Sequence, residues 1–246
     1  MQVVKLGRLE GFNDMKLLRA IDRLGVKELH VGGILLKVYP GSTKTVTELM
    51  DTMISDPVLA DALTCCCDTL TSFTSLEWNC VRNSPVERAL RKCPKLEELR
   101  LRLGHRLGVL NAFPGLRSLS LFDFGSVKHV AAQRFFETSR APRQLQRLSL
   151  YFEVFAHRGL TKVAAAGCPN VRHLTLVYKA MTSMSNVRVD VPRDLHVLLG
   201  SMGDLETLVM NKARVPSTVF KGLASGALPN LCLLDLRNCS VSSLIV

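Results

Sequence analysis

A short apolar signature, L-x-x-L-x-L, returns along this chain at a spacing far longer than a coiled-coil heptad, and it constrains the fold more than any other feature. Clear copies are Leu96, Leu99, Leu101; Leu116, Leu119, Leu121; Leu145, Leu148, Leu150; Val171, Leu174, Leu176; Leu205, Leu208, Met210; and Leu231, Leu234, Leu236. Two weaker copies precede them, at Val26, Leu29, Val31 and at Leu70, Phe73, where Ser75 stands in place of the third anchor. From Leu70 onward successive starts lie 26, 20, 29, 26, 34 and 26 residues apart, so the modal period is 26.

The last two anchors of each copy sit two residues apart, which is the mark of a short strand with one buried face. Pro94, Pro114, Pro169 and Pro229 each stand two positions before the first anchor, where a fixed φ and a missing N–H suit a turn into a strand. Cys67, Cys93 and Cys168 stand three positions before it. Between signatures the apolar spacing turns helical, as in Val86 to Leu90, Val130 to Phe136, Leu160 to Ala166, Leu195 to Leu199 and Val219 to Leu223. Ser84 and Ser217 are placed to cap helix starts. One strand–turn–helix unit cannot bury its own apolar face, so the units must stack. The expected fold is an α/β solenoid, a horseshoe arc with parallel strands on the concave side and helices on the convex side.

The strings Cys93-Pro-Lys-Leu-Glu-Glu-Leu-Arg-Leu, Cys168-Pro-Asn-Val-Arg-His-Leu-Thr-Leu and Leu228-Pro-Asn-Leu-Cys-Leu-Leu-Asp-Leu-Arg-Asn-Cys239 resemble cysteine-containing leucine-rich repeats. These are the ribonuclease-inhibitor-like type, as in F-box/LRR proteins, and the resemblance covers about residues 24 to 246. It implies a non-catalytic protein-binding module, the substrate-recognition part of an F-box-type ubiquitin ligase adaptor. That family carries Asn or Cys three places after the third anchor; here only Cys239 matches, while Gly104, Phe124, Glu153, Lys179 and Ala213 depart from the pattern. An irregular ladder of buried side chains is expected.

Residues 1–25 read as part of a preceding repeat or an N-terminal helix, with Asp14 to Leu24 amphipathic, and residues 26–246 as about seven to eight repeats. Residues 40–63 interrupt the period, with one or two helices broken at Asp56-Pro57. The first 25 residues are too few for an F-box, and Leu244, Ile245 and Val246 are apolar where a solenoid end is usually polar. Residues 1–13 and 240–246 are therefore expected to be poorly ordered or to pack against something outside the chain. With Lys5, Arg8 and Glu10 near the start, an exported protein's apolar leader is not expected, and the location is read as cytoplasmic, with the nucleus also open. Eight cysteines in a reducing compartment are expected to be thiols, mostly buried, and no metal-ligand spacing accompanies them.

No nucleophile elbow, phosphate loop or zinc-protease motif is present. His30, His105, His129, His157, His173 and His196 are scattered over different repeats, so neither catalysis nor a cofactor is expected. The residues alternating with the anchors are the informative ones, since they face away from the core. They place Arg100, Arg102, Phe122, Arg147, Tyr151 and His173 in successive repeats as candidate partner-binding residues, the aromatic and arginine types that dominate interface energetics. The chain carries +11 overall, and residues 82–188 hold 19 Lys and Arg against 6 Asp and Glu. An acidic protein partner suits that balance. The alternative is a basic scaffold binding nucleic acid or another acidic ligand, although no nucleic-acid motif accompanies the charge.

Overall fold

A computed structural model describes residues 3–6, 28–31, 56–75, 84–102, 107–122, 129–153, 167–179, 189–191, 193 and 195–242. The chain divides into two compact units, Met1–Arg102 and Leu103–Val246. The expected helices at Asp14 to Leu24 and Leu160 to Ala166 and the apolar end at Leu244 to Val246 lie outside the described residues.

In the first unit four parallel strands follow one another in chain order: β1 (Val3–Leu6), β2 (Glu28–Val31), β3 (Ser72–Ser75) and β4 (Glu98–Arg102). Their register aligns the signatures, with Leu29 opposite Phe73 and Phe73 opposite Leu99. Val3 pairs with Glu28, so a paired strand lies within the first 13 residues. Helix α1 (Asp56–Cys65) precedes β3 and α2 (Pro85–Leu90) precedes β4. Pro57 falls in the first turn of α1, where its missing N–H costs no helical bond, so Asp56-Pro57 opens a helix. The fully buried Leu63, Leu70, Phe73, Leu90, Leu96, Leu99 and Leu101 form the core between helices and strands.

In the second unit the parallel strands are β5 (Ser118–Phe122), β6 (Arg147–Glu153), β7 (His173–Lys179), β9 (Thr207–Asn211) and β11 (Leu233–Asp235), each paired with the next in that order. Leu119, Leu148, Leu174, Leu208 and Leu234 stand in register across it. A 3₁₀ turn (Leu107–Ala112), α3 (His129–Thr138), α4 (Arg140–Gln144), α5 (Leu195–Leu199) and α6 (Ser217–Ala224) supply the helical part of the repeats. A second parallel sheet joins β8 (Val189–Asp190), β10 (Ala213–Pro216) and β12 (Ser240–Ser242). Between β9 and β10 the chain turns at Lys212, and between β11 and β12 at Asn238. Both have positive φ, at 57° and 58°, so the backbone corner itself repeats with the modal period. Ser240–Ser242 is a paired strand because that corner redirects it alongside β10.

The turn that feeds each strand is one recurring hydrogen bond. The N–H of the first anchor donates to the carbonyl three residues back in six repeats: Leu96 to Cys93, Leu116 to Phe113, Leu145 to Pro142, Val171 to Cys168, Leu205 to Met202 and Leu231 to Leu228. At Leu70 the acceptor is Cys66, one residue further back. Hence Cys66, not the expected Cys67, is the buried thiol there, and Cys67 is only half-buried. Cys93 and Cys168 are buried as expected, whereas Cys65 and Cys232 are exposed. The Pro-Asn dipeptides add bonds from one repeat to the one before: Asn170 Nδ2 donates to the Arg143 carbonyl at 2.6 Å and Asn230 Nδ2 to that of Gly203 at 2.8 Å. Cys239 Sγ donates to the Met210 carbonyl at 3.3 Å, while Ala213, at the same repeat position, is buried but has no donor there. At Ala213 the ladder is interrupted, while the side chains at 104, 124, 153 and 179 lie outside the described residues.

Candidate interaction face of the second unit

On the second unit's sheet the anchors face the core and the alternating residues form three rows across the strands. The register sets the first row as Ser118, Arg147, His173, Thr207 and Leu233, and the second as Ser120, Ser149, Thr175, Val209 and Asp235. The third holds Tyr151, Val177 and Asn211, with Phe122 against Tyr151. Each row is one strand spacing per step, about 4.8 Å. The rows differ in chemistry: the first is basic at Arg147 and His173, the second is dominated by hydroxyls, and the third is aromatic and apolar.

The Phe122 and Tyr151 rings are stacked, with centroids 4.2 Å apart and planes 22° from parallel. Both residues are half-buried on the side away from the core. An offset pair of this kind is worth about 0.5–1.5 kcal/mol beyond area burial and holds both rings in one orientation. Arg147 and His173 are exposed neighbours in register. The serines depart from expectation. Ser118 and Ser120, placed by alternation on the solvent side, are buried, as is Ser72 in the first unit. Ser118 stands in register beside the longer Arg147 and Ser72 beside Glu98, and these two serines are overshadowed by them.

Electrostatics separate the basic residues into matched and unmatched. Arg100 Nε lies 2.7 Å from Glu98 Oε1 on its own strand, so much of its charge is already answered. Arg172 reaches Glu206 at 3.5 Å, and Arg237 lies 2.7 Å from Asp235. The hydrogen bonds from Arg237 hold the Asp235 carboxyl below its ordinary pKa. Among the described residues, Arg147 and His173 have no acidic partner. The structure thus brings Phe122 together with Tyr151 and Arg147 beside His173, and it ties Arg100 to Glu98. The side chain of Arg102 lies outside the described residues, as do those of His30, His105, His129 and His157.

No group of His, Cys, Asp and Glu with metal-binding geometry occurs among the described residues. His196, half-buried in α5, packs its ring directly over Gly222 of α6, a helix contact that sequence periodicity does not reveal. No described helix is long and apolar enough to cross a membrane.

In-register parallel strands, a repeated entry turn and helices between the strands define a leucine-rich-repeat fold. Neither protein-family models nor curated protein sequences match the chain. Among solved structures it is similar to a crystal structure of an internalin from Listeria monocytogenes, at 13% identity and a TM-score of 0.37. That match covers 91% of this chain and 65% of the internalin chain, so this chain spans less than two thirds of that protein's length.

Proposed function

We propose that the chain is a non-catalytic protein-binding module whose recognition surface is the solvent-facing side of the second unit's strands. The observation that carries this is the stacked, half-exposed Phe122–Tyr151 pair, which shares with Arg147 a sheet face where solvation alone requires no aromatic residue. Arg147 and His173 are assigned to the same face, and Arg100 and Arg102 of the first unit to partner contact on charge alone. The repeats' likeness to cysteine-containing leucine-rich repeats is supported by the buried Cys93 and Cys168 and by the Cys239 thiol bonded to the preceding repeat. On that likeness the module serves as the substrate-recognition arm of an F-box-type ubiquitin ligase.

The test is capture of partners from the native source by wild type and by the Phe122→Ala/Tyr151→Ala variant, identified by mass spectrometry. Truncating a central aromatic anchor costs about 2 kcal/mol or more, so the double variant loses the partner while keeping its thermal midpoint. Co-purification of cullin-adaptor subunits with the wild-type protein supports the ligase assignment, and their absence removes it while leaving the binding face standing.

A further inference from the structure

We propose that this face takes an extended acidic segment of a protein partner laid along the strands. A carboxylate sits at Arg147 and His173, and an aromatic or large aliphatic side chain about four residues away packs on the Phe122–Tyr151 stack. The inference rests on the protein-binding reading above and adds to it the chemistry and spacing of what is bound.

The rows carry the spacing. Arg147 and Tyr151 lie on one strand, β6, and face the same side. Four residues of strand separate them, about 13 Å, and an extended peptide has the same rise. A peptide parallel or antiparallel to β6 and β7 therefore presents alternate side chains to the basic, hydroxyl and aromatic rows in turn. The residue midway between its acid and its anchor meets the half-buried Ser149 and Thr175, which suit a small polar side chain.

Charge complementarity fixes the sign. Arg147 is an exposed cation that no described carboxylate answers, in contrast to Arg100, Arg172 and Arg237, and the exposed His173 beside it offers a ring N–H to the same carboxylate. The chain's net charge of +11 adds a long-range attraction for an acidic segment.

The full chain is titrated calorimetrically with short synthetic Gly/Ser peptides carrying one Glu and one Phe, in both orders and at separations from adjacent upward. Affinity is expected to peak at a separation of about four residues. Replacing the peptide's Phe by Ala weakens binding about thirtyfold. Arg147→Glu, at an exposed position where the fold is not at stake, weakens it about tenfold. Affinity independent of separation, or unchanged by Arg147→Glu with an unaltered melting curve, overturns the proposal. If the Phe122→Ala/Tyr151→Ala variant still loses its captured partner in that case, the face binds protein by another code. If that variant keeps its partner, both readings fall. Displacement of the best peptide by oligouridylate, with a steeper salt dependence than the peptide's own, makes the occupant RNA and also overturns the proposal.

Discussion

The thiols of this chain differ by position, and their chemistry follows. Burial pushes the Cys66 and Cys93 thiols up from 9.0 to about 12, and Cys168, buried without charged neighbours, is pushed up as well. Cys65 and Cys232 are exposed. Native labelling with an aromatic disulfide, read by peptide mass spectrometry, should therefore mark Cys65 and Cys232 first and reach Cys66, Cys93 and Cys168 only on unfolding. The same shifts give a pH dependence. A buried thiol keeps its proton when the unfolded chain has lost its own, so its contribution to stability is complete below about pH 9 and falls as pH rises toward 12. Urea midpoints should drop across that alkaline window. In the Cys66→Ala/Cys93→Ala variant the drop should be shallower.

At the scale of elements, two local devices set where helices begin and how closely they pack. Ser84 Oγ accepts the Glu87 N–H at 3.1 Å, and the buried Glu87 holds Arg91 one turn on at 2.6 Å. Ser84→Ala should cost about 1 kcal/mol in chemical denaturation. Ser217, expected to cap in the same way, is instead the first residue of α6, because Pro216 holds the extended cap position before it. Gly167 is a different device: a Cβ there would meet the backbone carbonyl and, at 2.7 Å, the Cβ of Phe136 at the end of α3. Gly167→Ala must push that helix away and should cost about 2 kcal/mol, whereas Gly203→Ala, with nothing within 4 Å, should be close to neutral. A pair of thermal melts separates the two outcomes.

Across the second unit as a whole, burial of the anchors is uneven. Leu148 and Leu208 are fully buried and Leu174 is 2% exposed, but Leu231, Leu234 and Leu236 of the last repeat are only half-buried, and Leu233 beside them is 52% exposed. In a stack of repeats each unit draws its stability from its neighbours, so repeats packed on both sides are the strongest. Leu148→Ala should cost about 3 kcal/mol and Leu234→Ala about 1 kcal/mol or less. Hydrogen exchange should show the matching gradient, with amides of β6 and β7 protected longest and those of β11 exchanging first. A protection pattern uniform from β6 to β11 would contradict this.

The repeat period, the strand positions and the identity of the core anchors were decided by local chemistry. A two-residue alternation of Leu with polar residues, a proline before it and a helical spacing after it leave one arrangement in which every unit buries its face. The candidate residues Phe122, Arg147, Tyr151 and His173 were legible for the same reason, since alternation alone assigns a side chain to the solvent side of a strand. Tertiary structure decided what depends on neighbours far away in sequence. Whether an arginine is matched among the described residues, as Arg100 is by Glu98 and Arg147 is not, depends on where side chains reach. Which serines are overshadowed depends on register with longer side chains. The approach of Phe136 that admits only glycine at 167 arises from the packing of segments about thirty residues apart. Packing distances of that kind are set by both partners at once, and no periodicity in a single segment encodes them.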